Sequence, residues 1–126
     1  MASEITVTAT LSYANAAQSI AQKLLTLAGV QFNITGKEYA AGMMSVPTTA
    51  GGTAIPVSNL ATLGWAMFKN NDATNYVELL SAASGTKFAK LAPGEIALFR
   101  FSSNITAPAA LANTAAVNLE YLILEP

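Results

Sequence analysis

The sequence predicts an all-β chain: one antiparallel β-sandwich domain over residues 1–126, of the jelly-roll variety, with at most one short helix. Three observations predict it. Apolar and polar residues alternate with a period of two through most of the chain, which places successive side chains on opposite faces of a strand. Clusters of Gly, Pro, Asn and Asp break the chain at short intervals into eight or nine strand-length segments. The chain is also 52% hydrophobic while holding six basic and seven acidic residues in 126, where a typical domain would carry about thirty charged residues. A domain of this size buries about two-thirds of its unfolded surface, enough for a core without staples.

The first strand begins at Ile5. Ile5, Val7, Ala9, Leu11 and Tyr13 fall on one face, and Thr6, Thr8, Thr10 and Ser12 on the other, a pattern that suits a half-buried strand with a wetter side. Residues 14–28 admit two readings. Ala17, Ile20, Ala21, Leu24 and Ala28 share a helical face, and Gly29 would follow as a helix-ending residue. A long strand paired with the first is favoured because its surroundings read as β. Val30, Phe32 and Ile34 then alternate with Gln31, Asn33 and Thr35, and a turn is expected at Gly36-Lys37. Tyr39 to Val46 reads as a strand, and 48–53 with Gly51-Gly52 as a loop. Residues 54–57 contain Pro56, which has no N–H for a ladder, so they fit only a short edge strand.

The second half is punctuated more sharply. Strands are predicted at 63–69, 76–80, 87–91 and 95–101, separated by Asn70-Asn71-Asp72, Ser84-Gly85 and Pro93-Gly94. The strand at 95–101 is apolar on both faces, with Ile96 and Leu98 on one and Ala97, Phe99 and Phe101 on the other. It is therefore central and covered twice, or covered by a neighbouring subunit. Residues 102–114 read as a polar, alanine-rich excursion. The closing strand, 116–124, sets Val117, Leu119, Tyr121 and Ile123 on one face and Leu122 and Leu124 on the other, so the C-terminal stretch is expected within a sheet.

Composition narrows the chemistry. With no cysteine, disulfides, thiolate metal sites and cysteine nucleophiles are excluded. With no histidine, the commonest general base and metal ligand is missing, and Ser-His-Asp and Cys-His arrangements cannot form. A net charge of −1 gives no electrostatic footprint for nucleic acid. The opening residues lack a positive n-region and an apolar h-region. The charge-free stretch 39–68 is broken by glycines, prolines and hydroxyls, so no membrane span is expected and the chain reads as soluble.

Tested motifs fail. Gly36-Lys37 lacks the first glycine of a phosphate loop, since position 31 is Gln31, and Glu38 stands where Ser or Thr is required. Asn70, Asp72 and Thr74 open like a calcium loop, but Asn75 and Ser81 occupy the positions that need Gly and Glu. A hydrogen-bonded turn is the simpler reading. Glu78 and Glu95 sit on candidate neighbouring strands and would have to face each other for glycoside hydrolysis; solvated strand positions are the simpler reading. Trp65, Tyr13, Tyr39, Tyr76 and Tyr121 would suit a sugar platform, but aromatics on strands are more often core or interface anchors. Asn33-Ile34-Thr35 and Asn104-Ile105-Thr106 match a glycosylation acceptor, a pattern common by chance.

Residues 63–78, with Leu63-Gly64-Trp65 and the corner Asn70-Asn71-Asp72-Ala73-Thr74-Asn75-Tyr76-Val77, and residues 90–101, with Leu91-Ala92-Pro93-Gly94-Glu95 leading into an aromatic strand, resemble small structural proteins of tailed bacteriophages. Ala2-Ser3-Glu4-Ile5-Thr6-Val7 and the end of the closing strand at Glu125 look similar too. The resemblance implies a non-enzymatic virion component, with no catalytic residue, cofactor or metal to carry over. The expected role is a capsid decoration or cement subunit on the phage head, assembled in the host cytoplasm. The alternative is a tail, neck or fibre module that binds a glycan or receptor. The expected partners are further copies of the chain, with a trimer by analogy to three-fold capsid positions, together with the major capsid protein or other virion proteins. Poverty of charge points the same way, because interface centres are depleted in charge. Trp65, Phe99, Phe101, Leu122 and Leu124 are the candidate interface residues.

Overall fold

The computed structural model describes residues 5–15, 17, 20–33, 36 and 38–126. It divides into two compact units, Met1–Thr35 and Gly36–Pro126. Among the described residues all sheets are antiparallel and there is essentially no helix.

The first unit is a two-stranded ribbon of β1 (Ile5–Asn15) and β2 (Ile20–Phe32). The strand reading of this region therefore prevails over the helical one, though positions 16, 18 and 19 lie outside the described residues. The segment expected separately at Val30 and Phe32 is the end of β2; Ile34, Thr35 and Lys37, and with them the Gly36-Lys37 turn, lie outside the described residues. Gly29 does not end a helix. It adopts φ +63° inside a β-bulge, where Ala28 and Gly29 together oppose Thr8, between the pairs Val7↔Val30 and Ala9↔Leu27. A bulge adds one residue to one strand and so reverses its alternation. Leu25 and Leu27 are thereby turned onto the face of Leu11 and Ala9, while Thr10 and Thr26 share the other face, with their hydroxyls 3.4 Å apart.

The second unit is a sandwich of two four-stranded sheets. One has the order β3 (Tyr39–Val46), β10 (Val117–Leu124), β5 (Trp65–Asn70), β8 (Ile96–Arg100). The other has the order β4 (Thr53–Ala54), β9 (Ala109–Ala112), β6 (Val77–Leu80), β7 (Lys87–Leu91). From β3 to β10 the chain changes sheet at every connection except β6 to β7. The core lies between the sheets. Phe68, Leu119, Ile123 and Val46 enter from the first, and Val77, Leu79, Leu91 and Ala110 from the second. Ile55, Val57 and Leu63 in the connections seal it.

Local chemistry explains the turns. Pro93-Gly94 bridges β7 and β8: Glu95 N–H donates to the Ala92 carbonyl at 3.0 Å, and Gly94 has φ +79°, the geometry that needs glycine after proline. β4 is an edge strand as Pro56 requires, but it ends before Ile55. The closing strand is held as expected: Gly64 N–H donates to the Leu124 carbonyl at 2.7 Å, and Gly36 N–H to the Pro126 carbonyl at 2.9 Å. Two expectations change. Residues 109–112, read as part of an irregular excursion, form β9 between β4 and β6. The strand that is apolar on both faces, β8, is not central; it is the edge of its sheet.

Candidate interface

The outward side of the sheet β3-β10-β5-β8 follows from register. Leu122 pairs with Ala41 on one side and Met67 on the other, and Met67 pairs with Leu98. An apolar row thus crosses all four strands. Met43, Glu120, Lys69 and Ile96 form the next row, and Tyr39 pairs with Leu124 in the row before, which Trp65 and Arg100 continue. Tyr39 is 63% exposed, Met43 58%, Ile96 51%, Leu122 43% and Met67 40%. An open groove of about 560 Å³ lies here, lined by Ala41, Met43, Met67, Tyr121 and Leu122, with the Lys69 and Glu120 stems at its end. Lys69 and Glu120 are cross-strand partners, and Glu120 Oε1 accepts the side-chain N–H of Asn71 at 3.1 Å.

The five candidate interface residues divide by face. Leu122 stands in water at the middle of the apolar row, with half-buried Leu124 and Trp65 beside it. Phe101 and Phe99 point the other way. Phe101 is 7% exposed and belongs to the core, with Phe99 packed against it. Their rings lie 4.9 Å apart edge to face, and 6.2 and 5.9 Å from Phe68, separations at which aromatic pairs attract. An edge strand with two apolar faces leaves parity unable to say which face is the core, and here the phenylalanines take it. The outward residues of β8 are Ile96 and Leu98. Met43, Met67 and Ile96 were not singled out from the sequence; their signal is an apolar residue on the outward parity of a strand whose inward parity is already filled.

Other tested features resolve into local structure. Asp72 Oδ1 accepts the N–H groups of Asn75 at 2.6 Å and Thr74 at 2.7 Å, and these amides, Asn75 first, hold its carboxyl below the usual carboxylate range. The calcium-like spacing is therefore a hydrogen-bonded turn. Glu78 is on β6, whereas Glu95 lies in the turn that leads into β8 of the other sheet. Glu78 pairs with Lys87 at 3.0 Å, and Glu95 accepts the Ala92 N–H at 2.7 Å. The aromatic residues do not form one platform: Tyr121 packs against the core, Tyr76 carries the Lys90 ammonium 3.9 Å above its ring, and Tyr13 is on the ribbon. Among the described residues no group of three acidic side chains is placed to hold a metal ion, and no helix is long and apolar enough to cross a membrane. No family model, curated protein or solved structure matches the chain.

Proposed function

We propose that this chain is a non-enzymatic structural subunit of a tailed-phage particle, a capsid decoration or cement protein that works as a homo-oligomer on the surface of the head. The observation that carries the reading is the apolar row Ala41, Leu122, Met67, Leu98 on the outer sheet face. Soluble monomers rarely leave a contiguous apolar patch of this kind in water, and such patches mark interaction sites. The row needs no strand rearrangement to be covered, since two sheets pack face to face about 10 Å apart. The low charge of the chain and its resemblance to small phage structural proteins supply the setting. The strand orders and the repeated crossing between sheets support a jelly roll for the body, because that fold is an eight-stranded double sheet built from two Greek keys.

A second reading, a tail, neck or fibre module that binds a glycan, rests on exposed Tyr39 and on Trp65 on the same outer face. The two are separated by Leu124, so they offer two single stacking sites rather than one platform. The test is sedimentation of the purified chain alone and with assembled phage shells. The decoration reading expects an oligomer that co-sediments with shells. A stable monomer that ignores them removes it, and a specific signal on a glycan array lost in Trp65→Ala installs the alternative.

A further inference from the structure

The β1–β2 ribbon presents an apolar face that is largely exposed. Leu11 and Leu25 are direct cross-strand partners and are 75% and 76% exposed; Ala9 and Leu27 pair beside them on the same side. The bulge at Gly29 is what brings them together. Without it Leu25 and Leu27 would fall on the threonine side, and the apolar residues would be split between the two faces. Bulges are specific features of a strand pair rather than defects, so an apolar row of Ala9, Leu11, Leu25 and Leu27 is what this sequence builds, with Leu24, opposite Ser12, the apolar residue of the threonine side. A two-stranded ribbon is at best marginally stable in water and is secured by packing against further structure.

We infer that this face of the ribbon docks on the outer face of the β3-β10-β5-β8 sheet of a second copy of the chain, over the row centred on Leu122 and Met67. The inference rests on the homo-oligomer reading above and names the element that fills the interface. Dimensions agree. From Ala9 to Tyr13 the ribbon runs about 14 Å, and a row across four strands also spans about 14 Å. One charge falls on this face: Lys23, the one charged residue in 5–32, pairs with Tyr13 at the end of the apolar row, while the receiving row holds none and the row beside it contains Glu120.

Area selects a second copy over an unrelated partner. The stretch from Ala9 to Asn15, with β2 beside it, is roughly 24 Å by 10 Å, about 250 Å² to cover. A stable interface hides about 800 Å² on each partner. An unrelated partner would receive that small face and return nothing. In a twofold dimer each subunit gives one ribbon and receives one across the same interface, so the ribbons cover about 500 Å² on each partner, and the sheet face beyond their footprint supplies the remainder.

The chain has no cysteine, which makes the test direct. Leu11→Cys and Leu122→Cys are placed in separate chains, co-expressed, and mildly oxidised. Any disulfide between the two variants must then join two molecules. The expected result is a covalent heterodimer at least tenfold above that given by Thr10→Cys, on the polar face, with Leu122→Cys. Three results overturn the inference while the oligomer persists: no heterodimer above the Thr10→Cys control, a product dominated by Leu11→Cys homodimers, or, in the double variant, a disulfide closed within single chains. A wild-type chain that sediments as a monomer overturns the homo-oligomer reading itself.

Discussion

The side-chain carbonyl of Asn70, fully buried at the end of β5, accepts the backbone N–H of Asp72 at 2.8 Å. Its amide nitrogen donates to the carbonyls of Asn75 at 2.9 Å and Leu91 at 3.0 Å. One buried side chain thus ties the β5–β6 corner to β7. Asn70→Leu keeps the branched shape, with bulkier methyl groups, and leaves three backbone groups without that partner. A buried group left unsatisfied costs about 1–3 kcal/mol, so the loss expected in urea unfolding is at least that much, with the m-value unchanged.

Asp72 gives the corner a pH dependence. Its carboxylate is stabilised in the folded chain by the N–H groups of Asn75 and Thr74, so its folded pKa lies below its ordinary value of 3.8. As pH falls through that window the unfolded chain takes up the proton first, and stability falls with it. The contribution is complete above the ordinary pKa and is gone below the folded one. Urea midpoints measured from neutral to strongly acidic pH should show a shallower acid decline in Asp72→Asn than in the wild type. Equal slopes would mean that the carboxylate charge adds nothing to the corner.

The phenylalanine cluster belongs to the core. Phe68 is fully buried, with the rings of Phe99 and Phe101 at 5.9 and 6.2 Å. Phe68→Ala should cost about 3–5 kcal/mol, the range for large aromatic truncations in a packed interior. Phe101→Ala should lower thermal stability also, and neither variant should change the stoichiometry of the population that remains folded.

Gly29 controls the ribbon. With φ +63°, a side chain there strains the backbone by about 1–2 kcal/mol. Gly29→Val should therefore speed amide hydrogen exchange in β1 and β2 while leaving β5, β6 and β10 protected, since local openings follow local stability. Deleting Gly29 leaves Ala28 alone opposite Thr8 and keeps the pairs Ala9↔Leu27 and Leu11↔Leu25 in an unbroken ladder. The expected outcome is association and a sandwich melting temperature equal to those of the wild type, because the apolar row is kept.

The same bulge explains why part of the fold was hard to read. Strands β5 and β10 announce themselves through unbroken alternation, and β6 and β7 through the Asn, Gly and Pro turns that bound them, although their pairing shifts register between Leu79 and Leu80. In β2 the inserted residue breaks the period of two, so Ile20, Leu24 and Ala28 mimic a helical stripe. β9 was invisible for a different reason. Ala109, Ala110, Leu111 and Ala112 hold no β-branched or aromatic residue, the types that mark strands, yet Ala109 and Ala110 are fully buried between β4 and β6. Small side chains there serve close packing rather than propensity. For the interface, parity alone identifies the outward position of Leu122. It fails for Phe99 and Phe101, because only the position of β8 at the sheet edge and its pairing with β5 reveal which side faces the core.

The homo-oligomer reading requires the outer sheet face around Leu122 and Met67 to be covered by another copy. Sedimentation equilibrium of the wild type beside Leu122→Glu tests it most directly. Leu122 is already substantially in water, and substitutions at such positions usually change stability by no more than about 0.5 kcal/mol, so both proteins should melt alike. The wild type is expected at a multiple of the 13.0 kDa chain and the variant at the mass of one chain. A wild type that stays at a single chain's mass at every concentration into the micromolar range would contradict it.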